Sequence, residues 1–487
     1  MKRLILCFFC FASLLGQNIP DRPSDIQYPA LKTQIPNRTQ NMHDLQQAKA
    51  FLVEDHALPL IQINLYAKGG GYLEPQGKEG LSELTATMLQ NGGTESLAPQ
   101  AFQERLDFLS TEIEVSISDT RLTASLNCLT SNLDESLQLF FDMLQRPRLD
   151  AERLAIEKQN MLEQLRRRND DTRAMEPRYW SRLLYGPSFY SNHLATQTSI
   201  DSIDAASIRQ FKDQILVQGN LVLAVSGDIT PATLKKVMKS HLAKFAKGSK
   251  PADPPKDWQM ADPGLYGVQK DGVNQTRVTA GYLGLTHGNP DRPAVDVMNE
   301  ILGGGGFTSR ITSRIRSDEG LAYSAGSQFS TGFDTPGTFR IVYQSKNESV
   351  AFALKIALEE IQKIRDVPVS EEELKIAKEG VVSGLLPFFD DPASTAQQFA
   401  RAYMINEDPE YLAKYQESVR KITVADVQQA AQKYLNRDKL IILLTGDLAG
   451  CLPGDGNHGS LEEVTGLKLE RLPLFDPLTL QPLEPTN

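Results

Sequence analysis

Apolar and polar positions along the chain follow two periods, and the two periods come in blocks. KAFLVED (49–55) and LPLIQINLYAKGG (58–70) form apolar, strand-like runs, and TEIEVSIS (111–118) and TRLTASLNCL (120–129) alternate strictly. Alternation of this kind predicts half-buried strands. Between them, GKEGLSELTATMLQNGGT (77–94) places Leu81, Leu84 and Met88 at helical spacing, which predicts a helix over 80–91 with one buried face. Helical periods return near 132–145, 151–168 and 204–218. Past the midpoint, RVTAGYLGL (277–285) reads as a strand, followed by helices near 291–302 and 308–318 and strands at 321–330 and 337–345. Helices are then expected near 349–365, 370–385, 393–406 and 423–436. Strands adjoin strands and helices adjoin helices, so the expected class is α+β, with helices packed on a mostly antiparallel sheet.

The blocks also repeat. IDAASIRQFKDQILVQGNLVLAVSGDI (203–229) and ITVADVQQAAQKYLNRDKLIILLTGDL (422–448) run in register without a gap, the second 219 residues after the first. Ala206 matches Ala425, Leu221 matches Leu440, and Gly227-Asp228 matches Gly446-Asp447. Asp170-Asp171 and Asp390-Asp391 each follow a long helical pattern, 220 residues apart. A duplicated unit of about 220 residues follows. The expected organisation is a first domain over 41–246, a proline-rich linker over 247–264, a second domain over 265–450 and an irregular tail over 451–487. Residues 17–40 read as an extended lead-in.

Composition narrows the partners. A net charge of -10 over 487 residues argues against nucleic acid or an anionic membrane as the main partner. MKRLILCFFCFASLLGQ opens with Lys2 and Arg3 before an apolar run too short to span a bilayer, the pattern of a cleaved signal peptide over 1–16. A secreted or periplasmic protein with no membrane span after cleavage is expected. Only Cys128 and Cys451 then remain, too few for a disulfide framework, and Cys128 is expected to be packed.

No two of the six histidines lie within five residues, so no helical histidine pair exists to hold a metal. There is no G-x-S-x-G elbow and no G-x-x-x-x-G-K-[ST] phosphate loop. The run Gly303, Gly304, Gly305, Gly306 follows a helix rather than a strand, which removes the dinucleotide reading. Two readings of it stand side by side: a glycine helix stop, or a flexible loop that another chain approaches. Tyr323 follows Arg316 by seven positions, and the two form a pair able to donate hydrogen bonds to a carbonyl oxygen or its developing oxyanion.

Taken together, VEDHALPLIQINLYAKGG, GKEGLSELTATMLQNGGT, the two strands ending in Gly-Asp, NPDRPAVDVMNEILGGGGFTSR and RIRSDEGLAYS resemble the landmarks of the insulinase-like metallopeptidases, the M16 family, in family order. The resemblance is to bacterial two-domain subunits. It implies two homologous α+β domains and, in catalytic members, an H-x-x-E-H helix with a later acid completing a zinc site. Those positions fall here on Glu83, Ala86 and Thr87, with the later acid at Glu163 or Gln164. Alanine and threonine replace neither an imidazole nor a carboxylate base. The family's arginine and tyrosine, which contact the substrate backbone, map onto Arg316 and Tyr323.

The resemblance therefore implies a non-catalytic, substrate-binding subunit that holds no metal itself. An H-x-x-E-H partner would bring the zinc in a heterodimer acting on peptides or unfolded polypeptide, the glycine run facing that partner. Two alternatives stand beside it: a pseudopeptidase scaffold or assembly protein, and a self-sufficient peptidase built from dispersed ligands. Glu83 is expected to be an exposed or salt-bridged helix residue.

Overall fold

Two six-stranded sheets carry the chain. The computed structural model describes residues 35–483, together with Arg22 and Ile26; the expected signal segment and most of the lead-in lie outside the described residues. The first sheet is built from β1 (Met42–Asp44), β2 (Ala48–Glu54), β3 (Leu60–Lys68), β4 (Glu112–Ile117), β5 (Arg121–Leu129) and β6 (Leu221–Gly227), in the order β1-β2-β6-β3-β5-β4. The second uses β7 (Gly264–Gln269), β8 (Gln275–Leu283), β9 (Ala322–Phe329), β10 (Thr338–Lys346), β11 (Ile441–Gly446) and β12 (Leu469–Arg471), in the order β9-β10-β8-β11-β7-β12. Written in reverse, the second order superposes on the first, and β6 and β11 are the matching strands that end in glycine. Most pairs are antiparallel, with β2 parallel to β6 and β7 parallel to both β11 and β12.

On one face each sheet is backed by its own helices. In the first half these include α1 (Leu81–Asn91), α2 (Leu133–Gln145), α3 (Ala151–Arg166) and, later in the chain, α5 (Ala205–Ile215). Their apolar stripes join the inward residues of β3 and β5 in one core containing Leu84, Met88, Phe140, Phe141 and Ile208. The second half repeats this with α6 (Arg292–Asn299), α7 (Val350–Asp366) and α9 (Val424–Tyr434).

The opposite faces are where the halves interlock. The helix α4 (Thr172–Tyr185) leaves the first half and packs on β11 and β8 of the second, burying Met175, Tyr179 and Trp180 against Val268, Ile441 and Leu443. In return, α8 (Pro392–Met404) leaves the second half and packs on β6 and β2 of the first, burying Phe399 and Ala400 against Phe51, Tyr66 and Val222. Both exchanged helices begin at the repeated Asp-Asp pairs. Asp171 and Asp391 are their N-caps, accepting the backbone N–H of Arg173 in one case and of Ala393 and Ser394 in the other. The repeated acid thus has a local cause, since a carboxylate at this position satisfies otherwise unpaired N–H groups. The described residues from Pro36 onward belong to one compact unit.

Short elements lie within the expected linker and tail. Ala246–Ser249 pairs as a short strand with Val217–Gly219, and 250–262 connects it to β7 without regular secondary structure. The tail, expected to be irregular, forms the helix Leu461–Thr465 and then supplies β12, the edge of the second sheet. Three residues of strand are too few to announce themselves by alternation. Cys128 and Cys451 are both free and buried, as packed thiols.

The ion pair between Arg310 and Glu373 makes stability depend on pH. Arg310 donates to both carboxylate oxygens of Glu373, from Nε at 2.7 Å and Nη2 at 3.1 Å. Burial alone would raise the Glu373 carboxyl, but Arg310 and the Ser370 backbone N–H bring it down to about 2. A carboxyl depressed from 4.5 in this way contributes stability that is fully present above pH 4.5 and is lost as pH falls toward 2. Urea unfolding of the Glu373→Gln variant is expected to lose less stability than wild type between pH 5 and about pH 2.5.

Candidate functional site

The helix α1 is held at both ends by specific contacts. Glu74 accepts the N–H groups of Gly80 at 3.1 Å and Ser82 at 2.6 Å, satisfying the helix start. Toward its end, the Gln90 side chain accepts the N–H of Val115 at 3.0 Å, tying α1 to the edge strand β4. Leu81, Leu84, Thr85, Ala86, Met88 and Leu89 are buried, which leaves Glu83 exposed and Thr87 half-buried.

The packing of α1 on α3 brings Glu83, Thr87 and Gln164 together, as their sequence positions imply. They line a cavity of about 360 Å³ with Glu157, Asn160 and Glu163. Ala86 points inward and is buried instead. The concave setting pushes the Glu83 carboxyl up, with Arg168 opposing. Glu83 makes no ion pair among the described residues, so it is the exposed helix residue rather than the salt-bridged one. Glu157 is buried and already engaged by Arg153, by Asn160 at 3.1 Å and by Asn91 at 3.4 Å. Glu163 pairs with Arg166.

This donor set does not fit zinc. It offers no imidazole, its best-placed carboxylate is committed to Arg153, and no group of three histidine, cysteine, aspartate or glutamate side chains among the described residues could hold a metal.

The second site is built from the loop between α6 and β9. The helix continues past Asn299 as a π-turn over Glu300–Gly304, and a second π-turn spans Ser313–Asp318. Such turns widen the helix and shift the angle at which side chains leave it. The glycine run has two parts. A Cβ on Gly303 would lie 2.3 Å from the backbone nitrogen of Ser327, so this glycine permits close approach by the chain's own β9. Gly306 has φ +59° and open space around it. The helix does not stop at its first glycine, and the contact made there is internal.

Two substitutions separate these roles. Gly303→Ala is expected to lower stability by about 1–3 kcal/mol, since backbone must shift. Gly306→Ala should cost about 1 kcal/mol for its left-handed φ alone. Thermal unfolding of the two variants tests the order.

Arg316 and Tyr323 do converge. A bulge between Ala322 and Ala325 interrupts the pairing of β9 with β10 and turns Tyr323 outward, leaving it 84% exposed. The Arg316 guanidinium lies over the Tyr323 ring at 4.5 Å and over the Phe307 ring at 4.3 Å, so it is clamped between two aromatic faces. Phe307, directly after the glycine run, is 64% exposed and escaped the sequence reading. Its signal was the aromatic residue beside a turn glycine. Among the described residues, the Arg316 side chain makes no hydrogen bond, so the two rings hold the guanidinium while its N–H groups stay available. An ordered, open guanidinium beside a phenol hydroxyl is suited to binding a carbonyl or an oxyanion. The cavity at Tyr323 and the cavity at Glu83 share no lining residue.

Comparison with known proteins bears on the family and the fold. Residues 50–196 match the family described as Insulinase (Peptidase family M16), and residues 202–381 match the Peptidase M16 inactive domain. A solved peptidase M16 inactive domain from Pseudomonas fluorescens superposes with a TM-score of 0.74 at 25% identity, covering 83% of this chain and 97% of that one. A Rickettsia felis protein named as an uncharacterized zinc protease is 25% identical over 344 residues, 70% of this chain and 82% of the relative. The non-peptidase homolog YmxG of Helicobacter pylori is 28% identical over 342 residues, 69% of this chain and 77% of the relative. The fold is that of an M16 peptidase with two homologous α+β halves. The chain belongs to the M16, or insulinase, family, and its motif positions lack the metal ligands.

Proposed function

We propose that this chain is the non-catalytic, substrate-binding subunit of a secreted or periplasmic M16 peptidase. Its partner bears H-x-x-E-H and supplies the zinc. The observation that carries this is the Arg316 guanidinium clamped by Phe307 and Tyr323 with its donors free, in a chain whose own motif positions hold Glu83, Ala86, Thr87 and Gln164. Water activation and oxyanion stabilisation are separate tasks that need meet only around one carbonyl. Arg316 and Tyr323 would hold the carbonyl oxygen of the scissile peptide and gain strength as it becomes an oxyanion. Secretion draws on the apolar N-terminal segment, and no helix among the described residues is long and apolar enough to cross a membrane.

A second reading, an assembly protein without a proteolytic role, draws on the relative named as a non-peptidase homolog. Co-production of this chain with an H-x-x-E-H homologue distinguishes the two. A stable complex that cleaves unfolded polypeptide, while this chain alone does not, supports the proposed function. Association without any effect on cleavage supports the assembly reading. Cleavage by this chain alone that chelation abolishes would overturn both.

A further inference from the structure

The open face of the second sheet, beside Tyr323, carries a cavity of about 660 Å³ whose charge is opposite to that of the protein. The chain as a whole is acidic, at -10. The cavity is lined by Arg173, Arg277, Arg340 and Lys346, with Glu176 as its one carboxylate. Strand register puts these groups on one surface. Arg277 faces Gln344 across the β8–β10 pair, Gln275 faces Lys346, and Gln328 faces Arg340 across β9 and β10. The exchanged helix α4 adds Arg173 and Glu176 from the other half.

These cations are incompletely neutralised. Glu176 accepts a hydrogen bond from Thr279 at 2.7 Å, and its pairing with Arg277 Nη2 is long, at 3.9 Å. Among the described residues this is the only ion pair made by any of the four. Arg277 Nη1 donates to Gln344 at 3.2 Å, while its Nε is buried without a partner. Arg340 Nε and Nη2 both rest on the neutral oxygen of Gln328, at 3.0 and 2.8 Å. An unsatisfied guanidinium N–H under a cavity with three surplus positive charges is a site prepared for a carboxylate.

The equivalent face of the first sheet is mixed: Glu112 and Glu114 lie on β4, while Arg121 and Arg401 line a smaller cavity of about 200 Å³ beside α8, so the larger surplus of positive charge lies in the second half.

We infer that the Arg173–Arg277–Arg340–Lys346 cavity binds carboxylate side chains of an extended acidic peptide whose backbone is held at Arg316 and Tyr323. This rests on the proposed function, because Tyr323 lines the same cavity and a chain held there continues along β9 and β10. The outer edge of β9 is partly closed, with Thr312 Oγ1 donating to the Ala325 carbonyl at 2.7 Å and Asn299 to that of Ser327 at 3.3 Å. The peptide is therefore recognised over the sheet face by its charges more than by strand pairing.

Fluorescence anisotropy on the purified full chain tests this, using three labelled peptides of equal length: acidic, neutral and basic. The acidic peptide is expected to bind at least ten-fold tighter than the neutral one, and to weaken as salt rises. Arg173→Gln with Arg340→Gln should erase that preference, and so should Lys346→Gln in part; all three side chains reach solvent, and a circular dichroism melt checks folding. Arg316→Ala should instead weaken all three peptides alike, which reports on the carbonyl site separately. Equal binding of the three peptides, or a preference that survives the double variant, overturns the inference while leaving the carbonyl site standing. Binding of pyrophosphate or a single-stranded oligonucleotide in place of the acidic peptide also overturns it.

Discussion

Replacing Arg316 with alanine, in a complex of this chain with an H-x-x-E-H partner, is expected to lower kcat/KM for peptide cleavage by about 100-fold or more. Loss of one preorganised oxyanion donor typically costs 10²–10³ in rate, or about 2.7–4 kcal/mol. The loss should fall mainly on kcat, because the interaction strengthens as the carbonyl oxygen takes on charge. Tyr323→Phe keeps the ring over which the guanidinium lies at 4.5 Å and removes only the hydroxyl, so a smaller loss of about ten-fold is expected. Arg316→Lys should rescue little, because an ammonium neither stacks flat between Phe307 and Tyr323 nor presents a planar fork. Steady-state kinetics on complexes matched for stoichiometry measures all three. Unchanged kinetics for Arg316→Ala in an intact complex would remove the pair from the chemistry.

The second large effect concerns stability. Phe399 lies on α8, which belongs to the second half by sequence but packs on the first sheet. It is 4% exposed, with its ring 6.4 Å from Phe51 and 6.3 Å from Phe389. Phe399→Ala is expected to cost about 3–5 kcal/mol, the usual range for removing a buried phenyl ring from a packed core. Because α4 and α8 are exchanged, the loss should not stay in the half that contains residue 399. Hydrogen exchange should show faster opening of β2 and β6, more than 170 residues away in sequence, and unfolding should remain a single transition. Faster exchange confined to the second sheet would contradict the interlocked arrangement.

Much of this was legible in the sequence, for identifiable reasons. Local periodicity located α1 at 81–91 and the alternating strands β4 and β5, because each has one buried face and short-range pattern records it. The duplication was visible because the closing strands β6 and β11 end in the same Gly-Asp pair. The helix exchange was not visible: an apolar stripe on α8 records that a face is buried, without naming the sheet that buries it. In α4, Pro177 and scattered arginines also obscured the helical pattern. The edge strand β12 was hidden by its length.

At the site, Arg316 and Tyr323 could be found from spacing and family resemblance together. Phe307 and the cationic cavity depend on strand register and on the β9 bulge, which sequence spacing does not encode. Glu83, Thr87 and Gln164 show the reverse case. Their shared cavity follows from the fold, while the loss of its chemistry follows from residue identity alone.

The most direct measurement is a titration of this chain into a purified H-x-x-E-H partner held at fixed concentration, with cleavage of an unfolded polypeptide as the signal. The rate should rise to a plateau at one equivalent with the wild-type chain. The Arg316→Ala/Tyr323→Phe chain should bind with the same stoichiometry and leave the rate near that of the partner alone. A partner that is fully active without this chain, or a double variant that stimulates as well as wild type, would contradict a substrate-binding subunit.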